Sequence, residues 1–465
     1  MHPEFNPFAK RYRKGVRRVA LLYPNRYVGG IANVGLQYIY AAINELENYV
    51  CERFYADVFG GMRSVESGTP LKDFDLVLVS LQYELDVFKA VEILRKSGFR
   101  GLKIAGGPCV MQNPLPFKPF FDAFFVGEVE GKLEEIVSAK SVDDLKGLPG
   151  VYTGEEESVK RVYANLGKHM DLEIIGEGAY GRCFLVEIGR GCVRLCNFCV
   201  VRGIYFPPRW RKLEDLPEVK NVDKVALIAP SPTDHPRFAD IVQLYVEKGL
   251  RVSPSSLRAD ALTEELAELL SKTSRSLTLA PETASPRLLE VVNKGITPED
   301  VLRAAEVASG RFEKLKLYYL VGLPGEEEED VEAIVEQAKK VKRLVKRVEV
   351  SVNPLVPKPH TPMQWFAFRR DAGKKIRKIV AACRKEGIEV DAGSVREFEL
   401  QTIISRGDES VSKLISGEKR PRDFERFLGS FEIDKELPWD FLDHRYSKAR
   451  LKKEYERILS LVENR

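Results

Sequence analysis

The chain has 465 residues, 73 of them Lys or Arg and 69 Asp or Glu, giving a formal net charge of +4; at roughly 150 residues per domain this is length for about three domains. With 44 % apolar and 31 % charged residues the composition is globular, which excludes a mostly disordered chain. No apolar run approaches the roughly 20 residues that span a bilayer, and no apolar segment follows the first basic residues as a signal peptide requires, so the expected location is cytoplasmic.

Residues 1–16 read as a basic N-terminal arm. From Arg18 onward short apolar runs alternate with amphipathic stretches. Strands are predicted at 19–23, 75–80, 103–105 and 123–127, with helices at 33–46 and 86–97. Strand and helix alternating at this pace predict a doubly wound, Rossmann-like sheet over residues 17–144. Ligands on such sheets sit beyond the C-terminal strand ends, where Gly29-Gly30 and Gly106-Gly107 occur. Residues 145–181 break the alternation with glycines and a short charged stretch, and suit a hairpin and linker. Alternation then resumes, with strands predicted at 184–188, 225–229, 252–257, 277–280, 315–321 and 348–353 and a seventh candidate at 388–391. Six βα units predict a partial (β/α)6, TIM-like barrel over 182–394. The charged, helical segment 395–465 is expected to form a small C-terminal helical domain. The fold class is therefore α/β throughout its two larger parts.

The seven cysteines carry most of the chemical information, because three of them fall within eight residues. In Gly189-Arg190-Gly191-Cys192-Val193-Arg194-Leu195-Cys196-Asn197-Phe198-Cys199 the spacing is C-x3-C-x2-C, on the loop after the first barrel strand. A structural zinc ion wants four N or S ligands, and no further Cys or His occurs in residues 200–229. A [4Fe–4S] cluster usually takes one cysteine per iron, so three ligands would leave one iron open. A closed site completed by a remote ligand such as Cys183 is the competing reading. Gly189 and Gly191 are expected to let backbone approach the cluster, Arg190 and Arg194 to place positive charge beside it, and Phe198 to offer an aromatic face.

This cysteine spacing, with an aromatic just before the last Cys, resembles the radical S-adenosylmethionine (SAM) superfamily. The resemblance implies that the open iron chelates SAM and that an electron, from a reductant such as ferredoxin or flavodoxin, splits it to methionine and a 5′-deoxyadenosyl radical. Leu320-Val321-Gly322-Leu323-Pro324-Gly325-Glu326 resembles a turn of these barrels, which implies that Gly322, Pro324 and Gly325 approach the adenine of SAM. Glu282, after the preceding strand at 277–280, is implied as a polar contact to SAM, with Ser256 and Arg258 as weaker candidates. His360, after Pro357-Lys358-Pro359 at a strand end, is the candidate catalytic residue.

Tyr23-Pro24-Asn25-Arg26-Tyr27, Ser80-Leu81-Gln82-Tyr83-Glu84, Ala105-Gly106-Gly107-Pro108 and Leu437-Pro438-Trp439-Asp440 extend the likeness to radical SAM proteins with an N-terminal cobalamin-binding-like domain. That resemblance implies cobalamin as a third candidate cofactor and methyl transfer as the reaction. The Asp-x-His-x-x-Gly motif of histidine-ligated cobalamin is missing, because the first 168 residues contain one histidine, His2. Cobalamin-independent radical modification of RNA or protein, and a non-catalytic Fe–S or electron-transfer role, are the alternatives. Methylthiolation is disfavoured, since its enzymes carry three further cluster cysteines in the N-terminal domain. Basic residues at 11–18 and Arg209, Arg211 and Lys212, interleaved with Tyr205, Phe206 and Trp210, leave RNA beside a small molecule or a protein as the substrate class.

Overall fold

The computed structural model describes residues 4–167 and 174–463; His2 lies outside them. The first sheet contains β1 (Arg17–Tyr23), β2 (Tyr49–Tyr55), β3 (Leu76–Ser80), β4 (Leu102–Gly106), β5 (Ala123–Phe125) and β6 (Val151–Tyr152), in the order β2-β1-β3-β4-β5-β6. Its first five strands are parallel and β6 runs antiparallel to β5. Val19, Ala20, Leu21 and Leu22 are all buried, as expected of a parallel strand covered by helices on both faces. The chain leaves β1 outward to β2 and then crosses back to β3, so the strand ends part at β1/β3, where doubly wound sheets hold ligands.

The second unit contains β7 (Phe184–Glu187), β8 (Lys224–Ile228), β9 (Arg251–Pro254), β10 (Ser276–Glu282), β11 (Lys314–Val321), β12 (Arg347–Pro354) and β13 (Glu389–Ala392). Neighbours pair in parallel and in chain order within β7–β9 and within β10–β13. A parallel bridge from Leu257 to Leu279 joins the two arcs. No pairing among the described residues closes β7 onto β13, so the barrel is partial. In β11, Leu315, Leu317, Tyr319 and Val321 are buried under the outer helices while Lys316, Tyr318 and Leu320 remain partly exposed. That period of two points the less apolar face into the open lumen. Along β7 the same alternation turns Phe184 and Val186 outward and Leu185 inward, where Leu185, Cys183 and Ala226 pack against Val34 of the first unit.

The arm is docked rather than free. Phe5 pairs with Ile175, and Glu4 accepts hydrogen bonds from Tyr27 and Arg53. The C-terminal segment packs against the first unit. Ile403, Ile404, Trp439 and Leu451 share one apolar core with Leu22, Val77 and Phe124 of the first unit, and Leu442–Asp443 pairs with Val159–Lys160. Its helices thus add to the core of the first sheet. The last helix, Lys448–Glu463, crosses to the barrel, where Ile458 packs with Leu288, Leu323 and Phe198. Among the described residues no helix is long and apolar enough to cross a membrane.

Candidate functional site

The loop that leaves β7 is shaped first by its own packing. Gly189 and Arg190 pair antiparallel with Trp210 and Arg209, and a Cβ at Gly189 would meet the Trp210 ring at 2.3 Å. Gly191 has φ +76°, and its Cβ would meet the Tyr205 carbonyl at 2.5 Å. Both glycines are therefore required by the loop itself, not by room for a cluster. Arg190 also departs from expectation. Its guanidinium turns away from the thiols and pairs with Glu130 at 2.7 Å, Glu187 at 2.8 Å and Glu128 at 3.2 Å.

Past this hairpin the chain presents Cys192, Cys196 and Cys199. The backbone N–H of Arg194 donates to Cys192 Sγ at 3.4 Å. Burial pushes the Cys199 thiol up to about 12, and Cys196 and Cys192 push it further in the same direction. The trio thus lies within mutual electrostatic reach, and its thiolates would repel until a metal cation relieves them. Among the described residues no three His, Cys, Asp or Glu side chains converge tightly enough for a single ion. A tetrahedral zinc needs its sulfurs about 2.3 Å from one point, whereas a four-iron cluster distributes cysteines over separate irons. By donor chemistry, three thiols on one loop fall one short of the four N or S ligands of a structural zinc but suit a cluster that takes one cysteine per iron. Cys183 does not join it: its thiol is buried beside Leu185 and feels Lys224 and Glu177, not the trio. Cys51, Cys109 and Cys383 are buried in three separate cores.

The cations that favour the thiolates are Arg258 and Arg194 at Cys192, and Lys294 and Arg258 at Cys196. Arg194 is neutralised by Asp234 at 2.6 Å. Arg258 pairs with Asp260 at 2.9 Å and donates to the carbonyls of Lys294 and Gly295 at 3.0 and 3.1 Å. Glu282, with φ +69° at the end of β10, accepts from Lys294 Nζ at 2.8 Å, and that ammonium lies 5.9 Å from the Phe198 ring centre. The structure therefore brings the three cysteines, Phe198, Arg258 and Glu282 together. It adds Lys294, which sequence reasoning missed. Asn293-Lys294-Gly295, with its left-handed Asn293 and Gly295, reads only as a helix C-cap.

Other candidates lie elsewhere. Ser256 is exposed, and its neighbour Ser255 lines the cavity described below. The turn at Gly322, Pro324 and Gly325 is satisfied internally. Glu326 accepts from the Gly322 N–H at 2.7 Å and from Lys375 at 2.7 Å, while Arg287 donates to the Gly325 carbonyl at 2.8 Å. His360 is buried, and its Nε2 donates to the Gln112 carbonyl at 3.0 Å; it does not line the cavity. In the structure it stands as a strut between units. His235 is fixed likewise, on the Arg211 carbonyl at 2.8 Å. Arg209 is bound to Glu128 at 2.6 Å and Arg211 is 2 % exposed, so neither presents a phosphate-binding face.

A cavity of about 460 Å³ lies between the strand ends of the first sheet and the root of the cysteine loop. Gly106 and Ser80 line it from the first sheet, Glu128 and Arg190 from its polar wall, and Ala229 and Ser255 from the barrel. A Cβ at Gly106 would meet nothing nearer than the Phe125 carbonyl at 3.7 Å. Neither crowding nor backbone conformation demands glycine there, so the open space at Gly106 fits a bulky occupant. No histidine of the described residues lines this cavity.

Comparison with known proteins agrees with both halves. Residues 35–149 match the family described as radical SAM proteins, N-terminal, and residues 186–338 the radical SAM superfamily. Uncharacterized protein MJ0966 of Methanocaldococcus jannaschii is 40 % identical over 445 residues, spanning 90 % of this chain and 97 % of that protein. Uncharacterized methyltransferase PH0819 of Pyrococcus horikoshii is 28 % identical over 55 % of this chain and 61 % of its own length. The solved structure of the cobalamin-dependent SAM radical enzyme OxsB, with aqua-cobalamin and SAM bound, aligns with 97 % of this chain and 80 % of that one at TM-score 0.51. At 13 % identity that likeness concerns the fold alone.

Proposed function

This chain belongs to the radical SAM superfamily, and from that premise we propose that it cleaves SAM reductively at a [4Fe–4S] cluster held by Cys192, Cys196 and Cys199, and that cobalamin in the cavity serves methyl transfer to its substrate. Membership implies the cluster and SAM. The observation that carries the reading is the isolated trio of thiols, grouped on one loop with no fourth cysteine beside them. When bound there with an external one-electron donor such as ferredoxin or flavodoxin, the cluster supplies the electron that splits SAM to methionine and a 5′-deoxyadenosyl radical. The chain's residues do the rest: Phe198 and the last helix shield one side of the loop from water, and Asn293 and Asn197 anchor the loop to the helix Pro286–Val292. Asn293 Nδ2 donates to the Leu195 carbonyl at 2.7 Å, and the Asn197 N–H to the Val292 carbonyl at 2.9 Å.

Cobalamin is supported by the OxsB-like fold, the methyltransferase name of one relative and the space at Gly106. No histidine of the described residues lines the cavity, so a cobalamin bound there would find no imidazole among them. Protein reconstituted without oxygen, then given dithionite and SAM, is expected to release 5′-deoxyadenosine; no release overturns the enzyme assignment. Chain purified from cobalamin-fed cells is expected to retain about one cobalamin per chain. Gly106→Leu, at a residue that lines the cavity, should weaken cobalamin binding about five- to 150-fold and lower that retention, since overpacking by several methylenes costs about 1–3 kcal/mol. Undiminished retention in Gly106→Leu would leave the cavity without its cofactor, and the reading would become cobalamin-independent radical chemistry.

A further inference from the structure

Shortly after the last cysteine of the loop, Arg202 carries its charge into the protein with 1 % of its side chain exposed. The short helix that bears it, Val201–Ile204, is pressed against the strut between units: a Cβ at Gly203 would meet the His360 carbonyl at 2.6 Å. From there the guanidinium reaches in two directions. Its Nη1 donates to the Leu195 carbonyl at 2.7 Å and to Asn197 Oδ1 at 3.1 Å, on the residues either side of Cys196. Its Nη2 donates to Glu454 Oε2 at 2.6 Å and to the Tyr446 hydroxyl, which itself donates to Glu454 Oε1 at 2.7 Å. Glu454 stands on the last helix, 252 residues away in sequence. One and two turns further along the same face, Ile458 packs beside Leu288 and Leu323, and a Cβ at Gly325 would meet Val462 at 3.0 Å.

A buried Arg–Glu pair is a weak source of fold stability, because desolvation of two charges offsets their attraction. Here the guanidinium also binds the cysteine loop, at two oxygens that flank the buried Cys196. Hydrogen bonds from a charged donor are about twice as strong as neutral ones. Asn293 and Asn197 tie the loop to the helix Pro286–Val292 with neutral bonds; Arg202 ties it to the last helix. We propose that Arg202 is the positioning residue of the metal loop and that the last helix is part of the cluster site, with Glu454 as the counter-ion that balances Arg202 beside the metal. Arg202 fixes the Leu195 carbonyl and the Asn197 side chain, so the loop keeps its ligating shape whatever the charge of the metal it holds. Glu454 cancels the cation that this arrangement places next to the thiols. The proposal rests on the cluster reading above and adds to it an element remote in the chain that completes the site.

The test uses the full chain with its iron reconstituted. Arg202→Met removes the donors and leaves no buried charge alone, since Glu454 keeps Tyr446 and is 22 % exposed. It is expected to lose iron to a chelator at least about tenfold faster than wild type, the worth of one charge-assisted hydrogen bond. Arg202→Lys, which keeps the charge without the planar fork, should recover part of the difference. The reduction potential of the iron centre separates this role from mere packing. Glu454→Gln, nearly the same shape, leaves Arg202 unbalanced and should favour the reduced form at least about threefold, about 28 mV for one electron. Arg202→Met leaves the carboxylate instead and should shift the potential the opposite way. A loop that is only loosened admits water in both variants and moves both potentials in one direction. Iron loss from Arg202→Met at the wild-type rate, or shifts of the same sign, overturns the assignment. Where Arg202→Met holds too little iron to measure, a potential in Glu454→Gln that is unchanged or lowered overturns it alone. If wild type takes up no iron, the cluster reading fails; if it does and both variants match it, only the role of Arg202 and Glu454 fails.

Discussion

Replacing Cys192, Cys196 and Cys199 together by alanine is expected to leave a folded chain with no four-iron cluster and no release of 5′-deoxyadenosine from SAM. Cys192 and Cys199 are only partly buried by residue and stand on a loop, so loss of their sulfurs removes little apolar packing. Cys196 is buried, but one Cys→Ala truncation there costs on the order of 1 kcal/mol, well below global stability. Nothing else in the loop can substitute as ligand, since the remaining cysteines sit in other cores. Iron content should therefore fall from about four per chain to background, with the melting midpoint nearly unchanged. Cys183→Ala is the matched control, and it should keep all its iron. Iron that survives the triple change, or disappears with Cys183, would move the metal site elsewhere and sink the proposed chemistry.

Much of the fold was legible because its strands are short apolar runs between amphipathic helices, a pattern set by local burial. Residues 184–188, 225–229 and 348–353 landed within a residue or two of their strands. The third barrel strand was drawn too long, to 257, because Pro254 ends its ladder before the apolar Leu257 makes its separate bridge. What was illegible depends on partners remote in the chain. Ile403 and Trp439 look like the apolar stripe of a free-standing helical unit until the first sheet supplies the other half of their core. The charge of Arg190 and Arg209 can be read from the sequence, but not that Glu128 neutralises both. The cysteine trio was legible since its ligands are contiguous; Lys294 was not, since its meaning comes from Glu282 on a different element.

Acid should weaken the fold through His360 and His444, more steeply than in a chain lacking both imidazoles. The rings meet edge to face with centroids 4.4 Å apart. Each Nε2 donates to a carbonyl at the end of the short helix Pro108–Gln112, His360 to Gln112 at 3.0 Å and His444 to Met111 at 2.7 Å. That spends the single N–H of a neutral imidazole. A proton added to His444 would go to Nδ1, which is buried with no acceptor. Burial holds the His360 ring down to about 4, against weaker support from the Gln112 carbonyl and Asp440. Burial lowers His444 further, helped by His360 and Arg161 and opposed only by the Met111 carbonyl. Both folded pKa values thus lie below the unfolded value of about 6.5. The unfolded chain binds more protons between those limits, so stability is complete above about pH 6.5 and falls as pH drops toward 4. For His360 alone the loss is about 3 kcal/mol, at 1.36 kcal/mol per unit. Urea midpoints from pH 7.5 to 4.5 measure it, with His360→Asn/His444→Asn as the reference that keeps donors but cannot take protons. The wild-type midpoint should fall faster with acid than that of the double variant. Parallel slopes would refute the strut, and a His360→Asn chain that kept its pH 7 stability yet lost turnover would return His360 to the reacting atoms.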